Sequence, residues 1–131
     1  MKYNIIAVDF DGTLCFDKYP GTGNLNMYAV GVLIKYRRMG GKLILWTCRH
    51  DEPLNDAVEA CRQAGLEFDA VNENDPEHAA KWVTKNGTDK FSPKVYADLY
   101  IDDKALKFSE VNKDNGLDWF AINKEIFGGD L

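Results

Sequence analysis

The stretch Ile5-Ile6-Ala7-Val8-Asp9-Phe10-Asp11-Gly12-Thr13-Leu14 carries four apolar residues straight into two carboxylates. An unbroken apolar run with β-branching reads as a strand buried on both faces of a parallel sheet, and Gly12 lets the chain turn sharply out of it. Side chains alternate along an extended chain, so Asp9 and Asp11 are expected to face one side, just past the strand's carboxyl end. In open α/β sheets that edge is where ligands bind. With a reference pKa of about 3.9, Asp9 is ionised at neutral pH and able to attack an electrophile or bind a hard cation. Repulsion from Asp9 is expected to favour a proton on Asp11. The competing reading is structural: Asp9 opens the turn and Asp11 caps it. The other strand ends decide between the two.

Outward from this stretch, Cys15 to Asn24 is rich in turn residues and aromatics. It reads as a short excursion over the strand ends, either a flap that touches substrate or a plain surface loop. Asn26 caps a helix with Met27, Val30, Leu33 and Ile34 on its apolar face, Lys35-Tyr36-Arg37-Arg38 exposed at its end and Gly40-Gly41 stopping it. Leu43-Ile44-Leu45-Trp46 is a second buried strand, closed by Thr47. The next helix has Asp51 as cap, Pro53 in its first turn, and Leu54, Ala57, Val58 and Cys61 at helical spacing before Gly65.

Leu66 to Val71 reads as a third strand, and Pro76 opens a helix whose apolar members are Ala79, Ala80, Trp82 and Val83, ended by Asn86-Gly87. Ala97 to Ile101 is the fourth strand, again running into paired acids, Asp102 and Asp103. A last helix from about Asp118 sets Trp119, Ile122 and Ile126 on one face before Gly128-Gly129. This alternation predicts right-handed crossovers and a three-layer α/β domain around a central parallel sheet, a single domain over residues 1–131.

Composition narrows the classes. The chain has 131 residues, 45% hydrophobic and 28% charged, the balance of an ordinary soluble domain with a real core. No stretch approaches the roughly 18 apolar residues of a membrane span, and no signal-peptide pattern opens the chain, so a cytoplasmic location is expected. Cys15, Cys48 and Cys61 form no Cys-x-x-Cys pair, which argues against a disulfide framework or a zinc site. A formal net charge of −5 disfavours broad binding to nucleic acid or an anionic membrane.

Four strands thus end in polar residues at one sheet edge: Asp9 and Asp11, then Thr47, then Asn72, then Asp102 and Asp103, with Lys94 just before the fourth strand. Phosphoryl transfer to a carboxylate needs these groups: carboxylates to hold magnesium, an ammonium and a hydroxyl for the phosphoryl oxygens, and one acid left for proton transfer. The sequence resembles the haloacid dehalogenase superfamily of phosphohydrolases. Asp9-Phe10-Asp11-Gly12-Thr13 is similar to its first motif, Leu43 to Thr47 to its second, Lys94 to the lysine of its third and Tyr100-Ile101-Asp102-Asp103 to the paired acids of its fourth.

The resemblance implies a Rossmann-like fold and a magnesium-dependent phosphatase working in two steps. Asp9 would be the nucleophile forming an aspartyl-phosphate, and Asp11 would protonate the leaving oxygen and then activate water. Asp9, the backbone carbonyl of Asp11 and Asp102 would hold the metal, and Thr47 and Lys94 the phosphoryl group. The gaps between motifs leave no room for a separate cap domain, which implies an open site, a large phosphorylated substrate, or a second copy serving as lid.

Some choices stay open. Strand alternation favours Asp102 as the direct metal ligand and Asp103 behind it, or as a cap for the turn at Lys104. Lys90 competes with Lys94. Arg49 is placed to clamp a substrate phosphate, His50 reads as an exposed loop residue and Cys48 as packing. Phe16, Tyr19 and Tyr28 could stack on a base, so a nucleotide or a nucleic-acid end competes with a phosphorylated small molecule as substrate. A non-catalytic phospho-acceptor domain of the receiver kind is the rival class, with the Asp-x-Asp-Gly-Thr spacing against it.

Overall fold

The computed structural model describes residues 1–16, 18–105 and 117–128. Every residue of β1 (Ile5–Val8) is buried, as a strand covered on both faces requires. It pairs in parallel with β2 (Lys42–Leu45) on one side and β4 (Leu99–Ile101) on the other, and β3 (Ala70–Val71) pairs in parallel with β2. The order is β3-β2-β1-β4. Helices α1 (Met27–Arg38), α2 (Asp51–Gln63), α3 (Pro76–Asn86) and α4 (Trp119–Phe127) alternate with the strands, giving the small Rossmann-like α/β fold that the sequence pattern predicts.

The pleat divides the core in two. Ile6, Val8, Leu43, Leu45 and Ile101 pack with Leu33 and Tyr36 of α1, Ala57 and Cys61 of α2, and Trp119 and Ile122 of α4. Ile5, Ala7 and Ile44 lie in the second cluster with Val95 and Ala97. The layers are unequal. From β3 the chain returns past β1 to β4, and a right-handed crossover in that direction carries α3 to the face opposite α1 and α2. No residue of α3 is buried: Trp82 and Val83, read as its apolar members, are exposed, and His78 stacks on Tyr96 with ring centroids 4.5 Å apart.

Several boundaries differ from expectation for local reasons. Leu66 is buried but is not strand. Its N–H bonds to the carbonyl of Cys61 while Gly65, at φ +90°, donates to Arg62, so Leu66 is the apolar residue that closes a Schellman turn after α2. Tyr36 is fully buried rather than exposed, because Gly41 has no Cβ to collide with its ring and its hydroxyl donates to the carbonyls of Tyr3 and Lys42 at 3.1 and 3.3 Å. Met27 in turn is exposed, and Ala29 and Val32 take its place in the core. Asp51 is the first residue of α2 and not its cap, which is His50 without a side-chain bond. Asn26, Asp75 and Asp118 cap α1, α3 and α4 through their side chains. Of the residues assigned from sequence, Asp17 of the excursion and Gly129 lie outside the described residues. Among those described, no helix is long and apolar enough to cross a membrane.

The short β3 leaves the outer edge of β2 thinly paired, and Asp69 fills the gap. Its carboxylate accepts from the Leu43 N–H at 2.7 Å and from Arg37 at 3.0 and 3.3 Å, so Arg37 is not a merely solvated charge. Asp69→Ala would leave that strand N–H without its acceptor, and urea unfolding is expected to show a loss of about 1–3 kcal/mol.

Candidate functional site

The register of the sheet builds the site. Val8 lies across from Ile101 and from Leu45, so the residues that follow them, Asp9, Asp102 and Trp46, emerge at one level. The Asp9 N–H bonds to the carbonyl of Ile101 at 2.9 Å, and the Trp46 N–H to that of Val8 at 2.9 Å. Between β1 and β4 the strand order also reverses direction, the crevice in which open α/β sheets take ligands. A cavity of about 420 Å³ opens there, lined by Asp9, Asp11, Trp46, Thr47, Cys48, Asp102, Asp103 and Lys104.

Three carboxylates converge in it. Asp9, Asp102 and Asp103 each offer an oxygen, and the three lie within 4.8 Å of one another. Asp103 was expected behind Asp102, but β4 stops at Ile101 and strand alternation stops with it; both acids sit in the turn beyond and both reach the cluster. The Asp102 carboxylate, not that of Asp103, accepts from the Lys104 N–H at 2.8 Å. Asp103 is seated from below by Thr13, whose hydroxyl accepts the Asp103 N–H at 3.1 Å and whose carbonyl accepts from the buried Trp119 indole at 3.1 Å. Gly12, at φ +73°, makes room: a Cβ there would overlap the Asp103 carboxylate.

Two unit charges 4 Å apart repel by about 4 kcal/mol at an effective dielectric of 20, so three ionised carboxylates here would cost a large part of a domain's usual margin. The protein meets this on Asp9. Burial above all, joined by the charges of Asp102 and Asp103 and opposed by the Phe10 N–H, pushes the Asp9 carboxyl up to about 7. Burial and Asp102 push that of Asp103 up as well. An oxygen-only donor set crowded to this degree fits a hard divalent cation such as magnesium, whose charge would replace the retained proton.

Asp11 takes a different course from the one expected. Both its oxygens accept from Arg49, at 2.7 and 2.8 Å. Arg49 is 1% exposed, and its remaining donors go to the carbonyls of Pro20, Gly21 and Pro53, so it has none left to clamp a substrate phosphate. Thr47 stands at the same sheet edge, one residue beyond Trp46. It lines the cavity, its N–H is held by Asn72 at 2.8 Å, and its hydroxyl oxygen accepts from the Arg49 N–H, leaving the hydroxyl proton to donate.

Lys94 is not among the residues lining the cavity: its ammonium lies 4.9 Å from the centroid of the Tyr100 ring. Lys90 does not line it either, whereas Lys104, 3.5 Å from the Asp103 carboxylate, does. Cys48, read as packing, is exposed at the cavity wall. Sequence spacing places Arg49 at the site edge but gives no sign that its guanidinium is taken by Asp11, 38 positions earlier in the chain; Lys104, the neighbour of Asp103, reads from sequence only as the start of the turn after the fourth strand. Phe16 and Tyr19 of the excursion and Tyr28 of α1 are all exposed, Tyr28 against Phe120 and the Tyr19 ring 5.2 Å from the Arg49 guanidinium.

The fold and this edge define a small α/β protein of Rossmann-like type with an acidic cluster at its topological switch point. No protein-family profile and no curated protein matches the chain. A solved structure, that of a conserved protein coded by a locus from Bacteroides thetaiotaomicron, is 37% identical over 97% of this chain and 92% of that one, with a TM-score of 0.74. The chain belongs to the same family as that conserved protein.

Asp9 carries its proton more tightly in the folded state than in the unfolded one. Its contribution to stability is therefore fully present below its ordinary value of 3.8 and is lost as pH rises toward about 7. In chelator, Asp9→Asn is expected to gain about 2 kcal/mol on the wild type between pH 4 and 7.5, read from urea midpoints, since the amide has no charge to bury.

Proposed function

We propose that this chain is a magnesium-dependent phosphomonoesterase of the haloacid dehalogenase kind. The observation that carries the reading is the cluster of Asp9, Asp102 and Asp103 at the switch point, with Asp11 and Thr47 on the same cavity. A carboxylate cluster of this donor chemistry would hold magnesium through Asp9, Asp102 and Asp103, and the bound ion would offset the charge gathered between the acids and a phosphate ester.

The chain's own residues then divide the work. An oxygen of Asp9 attacks the phosphorus, the bond to the ester oxygen breaks, and a proton from Asp11 goes to the departing alcohol. In the second step Asp11 takes a proton from water as that water attacks the phosphorus of the aspartyl-phosphate, which frees Asp9 and inorganic phosphate. Thr47 donates its hydroxyl proton to a phosphoryl oxygen, and Lys104 is the cavity's own ammonium. Lys94 would serve only after leaving the Tyr100 ring.

The cavity is open, which suits a phosphorylated macromolecule end or a nucleotide as well as a small ester, or closure by a second copy of the chain. A phosphate-release screen over nucleotides, sugar phosphates and 3′- or 5′-phosphorylated oligonucleotides tests the reading. Release is expected on one class in magnesium, is lost in chelator, and falls by several orders of magnitude in Asp9→Asn. Magnesium-independent release, or full activity in Asp9→Asn, would refute it.

A further inference from the structure

Among the described residues Arg49 is the largest fully buried side chain, and it holds an aspartate that lines an open site. Burying a guanidinium is costly unless every donor is met, and here all five are: Nε and one Nη2 proton by Asp11, the other Nη2 proton by Gly21 at 2.6 Å, and the Nη1 protons by Pro53 at 3.0 Å and Pro20 at 3.3 Å. The plane also lies 4.9 Å from the Phe10 ring centroid and 5.2 Å from that of Tyr19. Phe10 separates the two site aspartates in sequence, and Tyr19, Pro20 and Gly21 form the tip of the excursion. Its base is closed by Phe16 donating to Asn24 at 3.0 Å and Asn26 donating to Leu14 at 2.7 Å. One side chain thus joins the excursion, the start of α2 and the carboxylate of Asp11.

We propose that Arg49 is a positioning residue: its guanidinium aims the Asp11 carboxylate into the cavity and couples that aim to the seating of the 18–24 loop. The inference rests on the proposed phosphatase reading and adds to it a determinant of proton transfer. A bidentate fork restricts a carboxylate in both distance and plane, which a single ammonium does not. Anything that lifts the loop would loosen the fork and with it the aim of Asp11; the seated loop keeps the carboxylate in place. The excursion is thereby more than a plain surface loop, since its backbone carbonyls help to orient a reacting group.

Leaving-group dependence distinguishes this role from general support of the fold. An alkyl phosphate needs a proton on its departing oxygen, whereas p-nitrophenyl phosphate departs without one. Under single turnover in magnesium, Arg49→Met and Arg49→Lys are expected to cleave the alkyl ester about 10²-fold more slowly than wild type and the p-nitrophenyl ester less than about threefold more slowly. Trypsin should also cut after Lys18 faster in both variants, which reports the loop without reference to catalysis. Arg49→Lys keeps the charge and the stem, so it carries the test if Arg49→Met does not fold. An equal loss on the two esters, or unchanged cleavage after Lys18, would overturn the positioning role while leaving the phosphatase reading intact. Release from neither ester by the wild type would instead overturn the phosphatase reading, and the proposal with it.

Discussion

Parallel pairing of β1 with a neighbour on each side is the constraint from which the rest follows. Because Val8 is in register with both Leu45 and Ile101, the chain leaves three strands at one height, and whatever residues come next are brought together whether or not they attract. At two of those exits the next residues are acids. The hydrophobic burial of Ile5 to Val8, Leu43 to Leu45 and Ile101 supplies the free energy that holds them there, at roughly 1.5–3 kcal/mol for each large apolar side chain.

Like charges forced together must be managed, and the structure does so in two distinct ways. Asp11 is neutralised by a partner, the fully buried Arg49, which is itself satisfied by three backbone carbonyls. Among the described residues no such cation is buried with Asp9, Asp102 and Asp103; their crowding is borne by a retained proton or by whatever cation enters. The supports beneath them are neutral: the Thr13 hydroxyl under Asp103, the Trp119 indole under Thr13, and the Lys104 N–H on Asp102. A site built in this way keeps its negative charge available to a ligand instead of spending it on the protein.

Much of this was legible from the chain alone. The apolar run and the acids behind it located β1 and the edge, and Asn26 and Asp118 announced their helices, because these signals are local and repeat with known periods. The misreadings came where an apolar or charged residue answers to a partner far away. Leu66 looks like strand because a helix-closing turn also ends on a buried apolar residue. Tyr36 looks exposed because the space it fills is made by Gly41. Asp103 looks secondary only if the strand is carried two residues too far. Arg49 looks like a ligand clamp because spacing cannot reveal that an aspartate 38 positions earlier already occupies it.

Gly12 carries a consequence for the family as a set of sequences. Its missing side chain is the space in which the Asp103 carboxylate stands, so positions 12 and 103, distant in the chain, are not free to vary independently. A relative that gains even a methyl group at the first has to lose or turn away the acid at the second, and with it one corner of the cluster. Glycine here is a coordinate of the acidic site as much as a feature of the turn, and the pair gives a two-position rule for telling which relatives keep the three-carboxylate arrangement.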